Sequence, residues 1–298
     1  TAAYLQFNWS GDIGNMPANF HVGLRYEETE VRSAALNILY DGSSWVGAGD
    51  ELNITAATDA DGNDIQSYTD VTGEYDVTLP NLDFDIEPWE DIVLRASFSE
   101  TITRPNYNDI KGGLSPNGTQ FRLNTRPGAS SGNPDLVPIQ SFNIDLSFEW
   151  YYNDSSYLSA GFFKKDVDNF IGTGRELGTT FEIPNIVGGA LWDRAIAEGG
   201  LDPTQGQDIA EYILENFQDD PAVDGDTIVS VAGDPSIVFD LSQPINQRKA
   251  EVDGIEVNLQ HTFGDSPFGF VVNATLVDAD VAYDLSSPWT AQFPLVGL

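Results

Sequence analysis

The stretch at residues 142–152, FNIDLSFEWYY, alternates between apolar and polar side chains. This period of two predicts a β-strand, because successive side chains of a strand point to opposite faces. One face must therefore be buried in something apolar, either a protein core or lipid. Which of the two it is decides what the chain can fold into. The apolar face comprises Phe142, Ile144, Leu146, Phe148, Trp150 and Tyr152.

Seven more stretches have strand-like patterns, so the sequence predicts an all-β fold with about eight main strands. The stretch 75–87 changes phase at Pro80 and Asn81. We predict a bulge there, because a proline cannot donate a hydrogen bond to a ladder. The other six stretches are 5–9, 20–26, 92–98, 156–170, 255–263 and 268–276.

Short and long connections alternate along the chain. The short ones are rich in the Asn, Asp, Gly and Pro that tight turns require, and they are 10–18, 87–91, 153–155 and 264–267. The long ones are about 38–74, 105–139 and 171–246. In an antiparallel meander this alternation places every short turn at one end and every long loop at the other. Transmembrane β-barrels of the outer membrane have this asymmetry, with their long loops outside the cell.

Two further features favour lipid over a protein core. Aromatic residues cluster beside the short turns, where a membrane interface would lie. Charged and amide side chains occur on the polar faces deep within the strands, as a hydrated lumen allows. The alternative is a soluble β-sandwich, whose strands alternate in the same way. The expected lipid-facing positions are the even ones of 92–98, 142–152 and 268–276 and the odd ones of 5–9 and 255–263.

This assignment gives a mutational expectation for one strand. Leu146→Arg should cost about 2–4 kcal/mol if its face meets the bilayer midplane, and Asn143→Arg should cost much less.

Composition excludes several classes of function. The chain of 298 residues has 13 Lys and Arg against 47 Asp and Glu, a net charge of −34, so nucleic acid is excluded as a partner. There is no Cys, and the two His, His21 and His261, lie far apart on predicted strands. No nucleophile triad, phosphate-binding loop or strong metal motif stands out. We therefore predict that the chain is not an enzyme and needs no cofactor.

One loop resembles a metal site weakly. The segment DADGND at 59–64 places Asp59, Asp61 and Asn63 at alternate positions, as in a calcium-binding loop. It lacks the glycine expected at the sixth position, and the twelfth position is Asp70 rather than Glu. A solvated loop tip is the alternative.

The longest loop contains a helical pattern. Within 190–217, apolar residues at helical spacing occur in two pieces separated by Asp202 and Pro203. We predict a small helical insertion on the side of the long loops.

Several segments resemble the barrel of TonB-dependent outer-membrane receptors. They are LRASFSETITRPNYNDI (94–110), GNPDLVPIQSFNIDLSFEWYY (132–152), SYLSAGFFKKDVDNFI (156–171), FHVGLRYEETEV (20–31) and the hairpin at 243–280. The "TRP" segment followed by "NP-x-L-x-P" and the later "G-I-E" are motifs of that family. The resemblance covers about 60% of the chain, mainly strands.

The resemblance implies a barrel of 22 strands with an N-terminal plug and a TonB box, which takes up scarce ligands. This chain shows about eight strands, no plug and no closing aromatic strand, so we expect 1–298 to be a portion of the C-terminal half of the barrel. The implied location is the outer membrane of a bacterial cell. The implied partners are the TonB complex, through an N-terminal region outside this chain, membrane lipid and a small-molecule ligand.

The motifs are most similar to those of carbohydrate importers, so the expected ligand is an oligosaccharide, with a ferric siderophore next. Ligand residues are expected on the loop side, with indole and phenol rings stacking on sugars. An alternative is that the aromatic residues among them anchor their own loops. The candidates are Trp45, Arg104, Tyr107, Asn133, Trp192 and Trp289. Two rival functions stay open: a secreted glycan- or calcium-binding adhesion module, and a passive porin.

Overall fold

The computed structural model describes residues 1–46, 50–123, 125–264 and 266–283. The main strands are β1 (Ala2–Ile13), β2 (Met16–Ile38), β5 (Gln66–Trp89), β6 (Ile92–Thr103), β10 (Ile139–Asn153), β11 (Ser156–Gly178), β14 (Phe239–Thr262) and β15 (Gly269–Tyr283). Between them lie β3 (Tyr40–Val46), β4 (Glu51–Ala56), β7 (Ser115–Pro116), β8 (Gln120–Arg122), β9 (Gly128–Ser130), α1 (Ala190–Gly199), α2 (Gly206–Asn216), β12 (Val223–Asp224) and β13 (Thr227–Val229).

The eight main strands form one antiparallel sheet in the order β1-β2-β5-β6-β10-β11-β14-β15. Each pairs with its neighbour along the chain, as the predicted meander requires. The sheet does not close on itself within the described residues. The structure therefore confirms the prediction of an all-β partial barrel with about eight main strands.

The connections alternate as predicted, but their limits differ. The short turns are 14–15, 90–91, 154–155 and 263–268, and the long loops are 39–65, 104–138 and 179–238. Two of the predicted long loops, 38–74 and 171–246, were too wide because β5, β11 and β14 continue past their alternating segments; β5 has 24 residues. A strand that crosses a bilayer needs only about 9–11 residues. Strands as long as β5 would therefore extend beyond a bilayer at the end that leads into the long loops.

The predicted bulge at Pro80 is wrong. The ladder between β2 and β5 runs without a register shift, and Pro80 lies opposite Leu24. On its other side, pairing between β5 and β6 begins at Asn81, the residue after the proline. A residue without an N–H can end a ladder as well as distort one. The register shift lies instead between Ile86 and Trp89.

The register assigns each side chain to a face, because residues directly opposite in a ladder share one. We call the face with Asp145 the inner face and the face with Leu146 the outer face. One row of the inner face contains His21, Asp83, Ser97 and Asp145, and the adjacent row of the outer face contains Phe20, Phe84, Ala96 and Leu146. The register thus reproduces the predicted alternation across four strands.

Asn143 also lies on the inner face but is not a tolerant site. It is buried, and its side-chain amide donates to Ser99 and Thr101. An arginine there would break these bonds, so the expected mild cost of Asn143→Arg does not follow from the structure.

The three long loops interlock into one folded unit, which we call the cap. Its five-stranded sheet has the order β12-β13-β3-β4-β8, and each long loop contributes at least one strand. Helices α1 and α2 cover the sheet, which confirms the predicted helical insertion. Within the described residues neither helix has the length and hydrophobicity to cross a membrane. The cap has its own hydrophobic core, formed by Trp45, Leu52, Leu123, Ile186, Trp192, Ala195, Ile209, Ala210, Ile213 and Ile228.

The helices form where their apolar residues meet this core. Ile209 and Ile213 of α2 are four residues apart, so both lie on the face that packs against the sheet, and both are fully buried. Helix α1 ends at Gly200, whose φ of 63° is left-handed and favours glycine.

Candidate functional site

The outer face carries a continuous apolar band. It starts at the short turns with exposed aromatic side chains, among them Trp9, Trp89, Trp150, Phe263 and Phe268. On β14 and β15 it continues through residues such as Ile255 and Leu276, which are 50% and 75% exposed. Large apolar side chains this exposed, in rows across neighbouring strands, indicate a surface that contacts something other than water.

On five strands the apolar band ends abruptly, because the next residue on the same face, two positions along the strand, is charged. Beyond it the same face becomes charged, and the charged residues are mostly acidic. The last apolar and first charged residues are Tyr26 and Glu28 on β2, Phe98 and Glu100 on β6, Phe162 and Lys164 on β11, Ile255 and Asp253 on β14, and Leu276 and Asp278 on β15.

A buried carboxylate on the inner face holds two arginines. The side chain of Glu27 is 5% exposed and contacts Arg25, and its Oε2 accepts a bond of 2.6 Å from Nη2 of Arg104. Tyr75 lies near the guanidinium of Arg104 and lines a cleft with it. The two guanidinium groups are about half exposed, at 49% and 59%. They line a cleft of about 510 Å³ together with Tyr4, Asn81, Ser99 and Thr101.

Arg104 also borders a second cleft of about 460 Å³, whose lining includes Tyr75 and Tyr107. Tyr107 is 90% exposed, so its ring is available to a ligand. The two clefts together offer guanidinium, amide and hydroxyl groups beside aromatic rings, a combination that suits polyhydroxylated ligands.

The loop at 104–138 lies over the inner face. A Cβ atom on Gly73, which the register places on that face, would fall 2.0 Å from the carbonyl oxygen of Pro134. Only glycine leaves room for so close an approach. Strand β9 of the same loop pairs in parallel with residues 240–242 of β14. The loop thus extends from the end of β6 across β10 and β11 to β14.

The side chain of Asn133 makes hydrogen bonds within this loop and to β14. Its Nδ2 donates to the carbonyl oxygen of Pro244, and its Oδ1 accepts from the backbone N–H of Asp135. Asn246 makes the complementary contact, since its amide bonds to both the N–H and the C=O of Val137. These bonds fasten the end of the loop to β14. A ligand-binding role for Asn133 stays a prediction.

Two of the candidate tryptophans are not accessible. Trp45 is 1% and Trp192 3% exposed, and both belong to the core of the cap. Neither indole presents a face to a ligand, so the structure favours the alternative that these rings anchor their loops. Trp289 lies outside the described residues.

The calcium candidate forms a hydrogen-bonded turn. Oδ1 of Asp59 accepts from the backbone N–H groups of Asp61 and Asn63, each at 2.9 Å, and the Asn63 amide contacts both carboxylate oxygens. These bonds account for the motif without an ion. Among the described residues no three His, Asp or Glu form a metal-binding group. The calcium site stays a prediction.

Sequence reasoning missed Arg25 and Glu27 as site residues. Both lie in the segment FHVGLRYEETEV, where they occupy the polar phase of β2. The alternation predicts their face, but it does not show that Glu27 is buried or that it contacts Arg104, which lies 77 residues away.

Comparisons with known proteins give one family match. The model described as TonB dependent receptor-like, beta-barrel, matches residues 1–298. A search of curated proteins finds no match.

Several solved structures resemble the chain. The ferric enterobactin receptor PfeA from Pseudomonas aeruginosa, as a point mutant, has 15% identity over 93% of this chain and 35% of that one, with a TM-score of 0.44. The siderophore receptor PirA from the same organism has 14% identity over 93% and 42%, with a TM-score of 0.41. The Serratia marcescens hemophore receptor HasR has 16% identity over 88% and 32%, with a TM-score of 0.41. The chain therefore spans 32% to 42% of the length of these structures.

Proposed function

Because the chain belongs to the TonB-dependent receptor-like β-barrel family, we propose that it is part of an active transporter in the outer membrane of a bacterium. The parent protein would bind a scarce small-molecule ligand outside the cell and import it with energy delivered by TonB. Members of this family are transport receptors, which supports a role that is not enzymatic.

The observation that carries the location is the apolar band of the outer face. Aromatic side chains border it at the short turns, and charged residues border it at the other end. Lipid is the solvent in which such a band is stable, and aromatic rings are enriched at membrane interfaces. The inner face would then line the hydrated interior, and the cap would lie outside the cell.

The ligand class we propose is an oligosaccharide. The two clefts of the inner face combine hydroxyl, amide and guanidinium groups with the exposed ring of Tyr107. Loops 39–65 and 179–238 together carry 18 Asp and Glu and one Arg. Such a potential at the entrance opposes multiply charged anions, which argues against an anionic ferric siderophore.

We further propose that residues 1–298 belong to the C-terminal half of the parent barrel. The plug and the remaining strands would lie in other parts of the parent protein, and the contact with TonB would be made there.

Uptake measurements test this proposal. Cells that express the full-length receptor should accumulate a labelled oligosaccharide, and deleting TonB should abolish accumulation. Equal uptake without TonB would show a passive pore instead. Saturable uptake of ferric siderophores but of no oligosaccharide would refute the ligand class while leaving the transport mechanism intact.

A further inference from the structure

We call the cluster of Arg25, Glu27 and Arg104 the Glu27 site. It carries a net positive charge, whereas the chain as a whole has a net charge of −34. Arg25 and Arg104 contribute two positive charges, and Glu27 neutralises one. Glu100, Glu30 and Arg32 also line the two clefts, but the register places their side chains on the outer face. The site therefore has a net charge of one positive unit.

The two arginines have donors to spare. Each guanidinium has five N–H groups, whereas the carboxylate of Glu27 has only two oxygens. Both guanidinium groups are about half exposed at the cleft. Glu27 thus fixes the pair in place, and the remaining donors can bind a second anionic group in the cleft.

Loop 104–138 is the only one of the three long loops that has no excess of Asp and Glu over Lys and Arg. Loop 104–138 has four Lys or Arg against two Asp or Glu, whereas the other two long loops are almost free of basic residues. It is also the loop that lies over the inner face. A ligand at the clefts therefore lies beside the least acidic of the three long loops.

We infer that this site binds one singly charged anionic group, a carboxylate or a sulfate ester, on a sugar that packs against Tyr107. A single anion matches the single net charge of the site. A polyanion would gain no more at the site and would be repelled by the acidic loops. This inference rests on the proposed function, since it specifies the sugar that the transporter takes.

Calorimetric titration of the full-length receptor in detergent tests the inference. The probes are three xylo-oligosaccharides of equal backbone length: one unbranched, one with a single glucuronate and one with a single sulfate ester. Arg104→Gln should weaken binding of the charged sugars by about tenfold or more, the loss expected for a hydrogen bond to a charged group. Binding of the neutral sugar should change little. Arg194→Gln is the matched control, because Arg194 is an arginine of the cap that pairs with Asp220 and lines neither cleft.

The Glu27→Gln variant distinguishes a ligand-binding role of the cluster from a purely structural role. Removing the central carboxylate raises the net charge of the site to two positive units, so affinity for the charged sugars should rise. A purely structural cluster would instead lose stability without any gain in affinity. Arg25→Gln should repeat the effect of Arg104→Gln, which guards against a local folding defect in one variant.

The outcomes separate this inference from the proposed function. If all three sugars bind equally and Arg104→Gln changes none of them, the anionic group is refuted and the oligosaccharide receptor stands. If the sulfated sugar alone binds tightly, the anion is a sulfate rather than a carboxylate. If no oligosaccharide binds, the inference and the proposed ligand class both fail.

Discussion

Asp253 lies directly opposite Asp278 in the ladder between β14 and β15, one step beyond the apolar pair of Ile255 and Leu276. Like charges in directly opposed positions destabilise a sheet. Asp278→Asn should therefore raise the free energy of unfolding by about 0.2–1 kcal/mol at low ionic strength. The gain should shrink in high salt, because screening weakens repulsion between exposed charges.

Denaturant unfolding of the full-length receptor in detergent, at two salt concentrations, measures this effect. Asp85→Asn is the control, since Asp85 lies directly opposite Arg95 rather than another carboxylate, and its loss should not stabilise the barrel. A lower stability of Asp278→Asn at both salt concentrations would contradict the prediction.

Leu146→Arg tests the lipid contact of the outer face. Leu146 is 49% exposed near the middle of the apolar band on β10, so an arginine there should cost about 2–4 kcal/mol. The control is Asp145→Arg, which changes an exposed residue of the inner face among carboxylates that would attract the new charge. Unfolding in lipid vesicles measures both variants. Equal tolerance at the two positions would refute the lipid-facing assignment.

The strands could be predicted because their information is local. In β10 and β14 the alternation, the turn residues and the aromatic residues beside the turns all lie within a few positions of one another. The same pattern predicted which residues of each of these strands share the outer face. It could not locate the strand ends, because β2 and β5 continue past their alternating segments by pairing with each other.

The cap and the clefts could be predicted only in part, because distant segments create them. Trp45 looks like an exposed loop aromatic in the sequence, yet Trp192 and the α2 helix bury it. Glu27 looks like any polar strand residue until Arg104 covers it. Arg104 and Tyr107 line the same cleft, and their role in ligand binding stays a prediction.

Trp45 and Tyr107 should have opposite mutational effects. Trp45→Ala removes a fully buried indole and should destabilise the cap by about 3–5 kcal/mol while the barrel remains folded. Tyr107→Ala removes an exposed ring and should change stability by no more than about 0.5 kcal/mol. Hydrogen exchange, resolved between cap and barrel peptides, measures both. Protection of the cap that survives Trp45→Ala would show that the cap is not one cooperative unit.

The cap should move as one body if it moves during transport. Ser44 of loop 39–65 lies opposite Val229 of loop 179–238 in the cap sheet. The chain has no cysteine, so a Ser44→Cys, Val229→Cys pair introduces the only two thiols of this region. Oxidation should leave uptake unchanged, because the cross-link joins residues that are already neighbours. Uptake that is lost on oxidation and restored by a reductant would show that the two loops separate.

The turn at Asp59 should lose stability in acid. Bonds from the backbone and the side chain of Asn63 hold the pKa of Asp59 below its ordinary value of 3.8. A carboxyl whose pKa is lower in the folded state stabilises that state above the ordinary pKa, and this contribution is lost as the pH falls through the folded-state pKa. Hydrogen exchange of residues 57–65 should therefore accelerate below about pH 3.8 relative to the rest of the cap. Asp59→Asn should abolish that difference. Protection that increases on adding calcium at neutral pH would instead support the metal site.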